Sequence, residues 1–155
     1  MNIKLLPYTS NKTVEIAAVS PVAITPGNRA LLPCPPGAVK VNGDLWPDGA
    51  NYYGDVTLTW AHRNRHAQPG FQVVSQDAAS VAAGPEGTYT VEVLVDGVVK
   101  QTSTGITGTS FVYTIAQRIA HDANLNKPVQ FRITPVNGAL TGIPRTTDPF
   151  IMQEE

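Results

Sequence analysis

Three stretches of two-residue alternation in the second half of the chain limit it to β architecture. In Asp55–Trp60 (DVTLTW), Val56, Leu58 and Trp60 share one face while Thr57 and Thr59 share the other. In Tyr89–Gly97 (YTVEVLVDG), Tyr89, Val91, Val93 and Val95 alternate with Thr90, Glu92, Leu94 and Asp96. In Val129–Gly142 (VQFRITPVNGALTG), Val129, Phe131 and Ile133 alternate with Gln130, Arg132 and Thr134. A strand points successive side chains to opposite sides, so this period marks segments buried on one face only. Several such strands separated by Gly, Pro and Asp turns imply an antiparallel sandwich. Trp60, in phase with Val56 and Leu58, is the expected anchor of its core.

The remaining elements are read around those three. Asp96-Gly97 lies between two valine-rich runs, the short-range signature of a tight hairpin. Thr102–Ser110 (TSTGITGTS) reads as a turn-rich link into a strand at Phe111–Ile115. Thr114–Leu125 is the one helical stretch: Ile115, Ile119 and Ala123 recur on one side, Arg118, His121 and Asp122 on the other, and Thr114 stands at the cap position with Gln117 three residues on. Pro128 ends it. The last strand is expected within Gly142–Met152, where Pro144 and Pro149 restrict it to a sheet edge. Residues 66–87 form a long connection; a structureless loop of that length is uncommon in a compact domain, so Phe71–Val74 is expected to pair as a short strand or the loop to be a functional insertion.

Residues 1–45 differ in kind. Prolines at positions 7, 21, 26, 33, 35 and 36 cut them into short pieces. Lys12–Val19 and Ala38–Val41 suit edge strands or an extended arm, because proline removes a ladder donor. The expected division is a Pro-rich arm or edge strands over 1–45 and a sandwich over 46–155.

Charge is sparse and nearly balanced: 15% of residues are charged and the formal net charge is −1. A nucleic-acid binder needs a basic face, and Arg63, Arg65 and Arg118 are too few to make a track. No apolar run reaches the ~18 residues of a membrane span, and no secretory signal is legible at the start. The single cysteine, Cys34, rules out an intrachain disulfide and reads as a small hydrophobe.

Sites of chemistry are scarce. His62 and His66 would stand about 13 Å apart along a strand, too far to share a metal, and read as rim histidines. Asp44, Asp48 and Asp55 lie in NGDLWPDGANYYGD, raw material for a calcium loop without its D-x-D-x-D-G spacing; they read as turn-formers. No phosphate loop, nucleophile elbow or zinc pattern occurs. The expectation is therefore no enzyme, no catalytic residue, no metal and no cofactor. Trp46, Tyr52 and Tyr53 are the one aromatic cluster outside the alternating strands. Such residues favour protein interfaces and sugar platforms, or plug the end of a sandwich; they are the candidate binding residues.

The Trp60 strand, the Tyr89-x-Val91-x-Val93 strand and the late VQFRITPVNGALTG segment, with Asn137, Gly138 and Gly142 in a hairpin, resemble a fibronectin type III module. Two features depart from it: Val129 stands where the family usually has Tyr, and a helix is inserted. DVTLTWAHRNR and the run from Gly87 to Gly142 more closely resemble the fibronectin-like domain of tailed-phage tail-tip and baseplate hub proteins, including those of gene-transfer-agent particles, over roughly residues 33–145. The resemblance implies an all-β, fibronectin III/immunoglobulin-like antiparallel β-sandwich with one short inserted helix and a Pro-rich N-terminal arm. It further implies a structural virion protein at a tail tip, baseplate or fibre attachment, standing as a separate small tail or adaptor protein. Its partners would be other virion tail proteins, in a homo-oligomeric ring or trimer, and it would be assembled in the host cytoplasm. The alternative is a host-surface module that takes a glycan or protein receptor through Trp46, Tyr52, Tyr53 and the 66–87 loop.

Overall fold

The computed structural model of the protein describes residues 2–3, 8–9, 12–13, 17, 19–23, 31–64, 67 and 74–155. The chain divides into two compact units, Met1–Leu31 and Leu32–Glu155. In the first, β1 (Asn2–Ile3) pairs antiparallel with β4 (Val22–Ala23), and β2 (Tyr8–Thr9) pairs antiparallel with β3 (Lys12–Thr13). Of the Lys12–Val19 stretch, only the first two residues belong to a described strand.

The second unit is an antiparallel β-sandwich with one short helix. One sheet has the order β10-β7-β5, from β5 (Gly37–Val41), β7 (Val56–Ala61) and β10 (Ser110–Tyr113). The other has the order β12-β11-β8-β9, from β8 (Thr88–Val95), β9 (Val98–Ile106), β11 (Val129–Asn137) and β12 (Leu140–Thr141), with β13 (Arg145–Thr146) also on β11. A third ladder pairs β6 (Asn51–Tyr53) with β14 (Ile151–Gln153), and it runs parallel. Gly37–Val41 is thus an edge strand of the sandwich, inside the second unit. The region beyond Gly142 holds two short strands where one was expected.

The alternation read from the sequence is the alternation of burial, except at Leu94, which was expected on the outer face and is buried beside Val93 and Val95. Val56, Leu58 and Trp60 meet Tyr89, Val91, Val93 and Val95 and Val129, Phe131 and Ile133 in one apolar core. Trp60 is 4% exposed and packs edge-on against Tyr89, ring centroids 5.5 Å apart. Phe131 takes Tyr113, Phe111 and Phe150 around its ring. At the Asp96-Gly97 turn, Val95 faces Val98 and both loop residues have positive φ, 53° and 74°. That is the mirror-image turn matching the strand twist, and it favours glycine at position 97.

Two expectations are corrected. The supposed link from Thr102 is strand as far as Ile106, since β9 stays paired with β8, through two register shifts, down to the Tyr89–Ile106 pair; its Thr and Ser residues suit a half-exposed edge. The helix, α1 (Ile115–His121), is shorter than the pattern suggested and turns only part of its apolar face inward: Ile115 packs against the core. Ile119 is exposed, whereas Arg118 is fully buried. The cause is the unsatisfied carbonyls beyond a helix of two turns, which need donors when buried. Arg118 supplies them: Nη1 donates to Asp122 O (2.5 Å), and Nη2 to Asn124 O (2.8 Å) and Lys127 O (3.2 Å). The N-terminus follows the expectation. Thr114 and Gln117 form a reciprocal capping box, and Asp55 Oδ1 accepts the Ile115 N–H at 2.9 Å. No helix among the described residues is long and apolar enough to cross a membrane.

Candidate functional site

The stretch that carries the candidate aromatics runs between pinned turns. Val41 and Asp44 exchange backbone hydrogen bonds around Asn42 and Gly43, and Asn42 is tied to Thr57 by its backbone N–H and its side-chain oxygen. Past Trp46, the Ala50 N–H donates to Pro47 O and the Gly49 N–H to Pro149 O. The chain then enters β6, where alternation sends Tyr52 inward and Tyr53 outward.

The three aromatics therefore have different surroundings. The Tyr52 hydroxyl donates to Asp44 Oδ2 at 2.8 Å and lies 3.3 Å from Val41 O, and the ring meets Phe150 edge-on at 5.5 Å. Burial, then the neighbouring Asp44 carboxylate, hold its phenol above the ordinary value. Tyr52 plugs the sandwich next to Phe150. Tyr53 and Trp46 are exposed, Trp46 by 70%.

Trp46 borders a small cleft of about 40 Å3 whose rim also carries Gln76, Asp77, Arg145, Thr146 and Asp148. Its walls are fixed from below. The Ala38 N–H donates to Gln76 O at 2.6 Å, and Gln76 Nε2 donates to Pro36 O at 2.8 Å. On the opposite side, Thr147 is buried and exchanges hydrogen bonds with Phe131: its N–H to Phe131 O at 2.9 Å, its Oγ1 accepting the Phe131 N–H at 3.0 Å.

The loop that forms one wall is organised by a side chain whose role the sequence did not mark. Arg63 is 5% exposed. Its Nη1 donates to His62 O and Ala79 O, and its Nη2 to Ser75 O, Gln76 O and Ala78 O, at 2.7–3.3 Å. The only hint in the sequence was the loop's length: a long connection in a compact domain must satisfy its carbonyls, and guanidinium is the side chain with most donors. His62 is likewise not on the rim. It is buried, stacks on Tyr89 with ring planes 5° apart, places Nδ1 3.3 Å from the Tyr89 hydroxyl, and its N–H donates to Ser80 Oγ. Burial lowers its pKa. Burial also pushes the Tyr89 phenol up to about 12, against the opposing pull of Arg63. His66 and Phe71–Val73 lie outside the described residues.

The three aspartates have separate duties. Asp44 accepts from Tyr52, Asp55 caps α1, and Asp48 sits beside an apolar recess with Pro128, Pro149 and Phe150. Among the described residues no three His, Cys, Asp or Glu side chains are grouped to hold a metal ion. No protein-family model matches this chain, and no curated protein matches it.

Proposed function

We propose that this chain is a protein–protein assembly module of a tailed-phage virion, at the tail tip, the baseplate or a fibre attachment. The observation that carries this reading is the strand order. The chain moves from β5 and β7 in one sheet to β8 and β9 in the other, returns for β10, and crosses again for β11. That interleaving suits the immunoglobulin-like sandwiches, and it is built from the segments whose sequence resembles the fibronectin-like domain of phage tail-tip proteins. Sandwiches of this class work by presenting edges and loops. Here β9 is a nine-residue edge strand with Val98 57% exposed, and β10 is an edge strand with Val112 51% exposed. Open edges of this kind accept a further strand from a neighbour. The test is to label phage particles with gold-conjugated antibody raised against the protein. Gold at the tail end is the expected result; bare particles with the protein left soluble in the lysate would sink the virion reading.

A second reading, a module that attaches to a host surface through glycan or protein, draws on the exposed Trp46. Binding to cell envelopes that is lost in Trp46→Ala would favour it.

A further inference from the structure

The cleft beside Trp46 combines an exposed aromatic face with polar groups that have no partner among the described residues. The indole is 70% exposed. Among the described residues, the side chains of Asp77, Arg145 and Asp148 make no ion pair and no hydrogen bond, although all three border the same cleft. Thr146 adds a hydroxyl, and Gln76 keeps its side-chain oxygen available while its nitrogen is committed to Pro36 O. We infer that this cleft is a saccharide-binding site.

The chemistry selects the ligand. A pyranose ring presents an apolar C–H face and a rim of hydroxyls, each of which donates and accepts. The Trp46 indole offers the flat amphipathic surface for the first. The Asp77 and Asp148 carboxylates accept from hydroxyls, and the Arg145 guanidinium donates to them. A cationic ligand fits less well: one aromatic side chain makes no cage, and Arg145 stands in the same cleft. The cleft itself, about 40 Å3, is too small to enclose a sugar ring, so the saccharide lies across its mouth against the exposed indole face, with the polar side chains of the rim reaching its hydroxyls. The backbone ties at Ala38–Gln76 and Thr147–Phe131 hold the walls in place beforehand, which reduces the ordering cost of binding.

This inference deepens the host-surface reading and is independent of virion assembly. Its test therefore uses the purified full chain, and the outcome of gold labelling does not bear on it. The protein is run through native gels containing dextran, soluble starch, glycol chitin or bacterial O-antigen polysaccharide. In parallel, fluorescence is followed with maltohexaose and N-acetylchitohexaose. The chain has two tryptophans, and Trp60 is buried, so a ligand-dependent emission change reports on Trp46. Expected are saturable retardation by at least one polysaccharide, its loss in Trp46→Ala, and about tenfold or greater weakening in Arg145→Ala and Asp148→Asn. Circular dichroism of the variants should be unchanged, because these side chains are not part of the core. Absence of any saccharide response across the panel overturns the inference. Retardation that survives Trp46→Ala overturns the site, and binding of a Lys/Arg-rich peptide with no saccharide response overturns the ligand class.

Discussion

The guanidinium of Arg63 lies directly against the backbone of Gly37, so that a Cβ at position 37 would overlap its Nη2 and Cζ atoms. Position 37 therefore requires glycine because of what approaches it. The contact links the first strand of the sandwich to the 75–79 loop, whose carbonyls the same guanidinium collects. Gly37→Ala should displace Arg63 and release several of these carbonyls at once, at a cost of about 2–4 kcal/mol. Arg63→Lys should cost a similar amount, since an ammonium has three donors and no planar fork. Urea unfolding measures both, and limited proteolysis should show new cleavage near Ala78–Val81. Wild-type stability and wild-type digestion in Gly37→Ala would show that the approach is not binding.

Arg118 plays the equivalent part at the other end of the domain. It is fully buried and holds the carbonyls of Asp122, Asn124 and Lys127, while Lys127 pairs with Asp122 at 2.8 Å on the outside. Arg118→Met keeps much of the side-chain volume and removes every donor. The expected loss is about 2–4 kcal/mol, with faster amide exchange at Asn124–Lys127. Lys127→Ala breaks only surface pairs, with Asp122 and Asp96, and should cost far less than Arg118→Met. Equal effects of the two substitutions would mean that the buried cation is not what orders this turn.

Trp60 is the largest apolar side chain shared by both sheets' core, 4% exposed and edge-on to Tyr89. Trp60→Ala should cost about 3–5 kcal/mol, a large share of the stability of a domain this size. A thermal melt followed by circular dichroism measures it. Trp60→Phe, which retains the aromatic contact, should recover part of the loss; a melt unmoved by Trp60→Ala would refute the anchor role.

What could be read from the sequence was local. Val56–Trp60, Tyr89–Val95 and Val129–Ile133 announce their buried faces because a strand's period is two residues and each has one face in the core. Asp96-Gly97 and the Thr114–Gln117 cap were legible because each is set within four residues. What escaped was long-range. Arg63 reaches carbonyls 12 to 16 residues away, and Gln76 reaches Pro36 across 40; no local pattern encodes such a partner. α1 misled in part: Ile115 of its apolar face packs against the core, but Ile119 is exposed and the buried position is Arg118, which serves the carbonyls of the turn that follows. Trp46, Tyr52 and Tyr53 looked like one cluster. Alternation along β6 places Tyr52 and Tyr53 on opposite faces, and the cleft beside Trp46 exists only because residues 76–77 and 145–148 converge on it.

The burial of His62 implies a specific acid sensitivity. The imidazole stacks on Tyr89 with Arg63 beside it in the chain, and burial holds its pKa below the ordinary 6.5. The unfolded chain then binds a proton at His62 more readily than the folded one. Above about pH 6.5 both forms are neutral and this site contributes no pH dependence. As pH falls below that value the unfolded state gains the proton first, and stability declines by at most about 1.4 kcal/mol per pH unit until the folded imidazole also titrates. His62→Phe retains the stack on Tyr89 and removes the titration, so its stability should fall less steeply between about pH 6.5 and pH 5 than that of the wild type. Urea midpoints measured across this range in both proteins decide the matter, because every other group is common to the two and cancels in the difference. Parallel curves would mean that His62 takes up its proton in the folded state as freely as in the unfolded one, and that its place against Tyr89 carries no electrostatic cost.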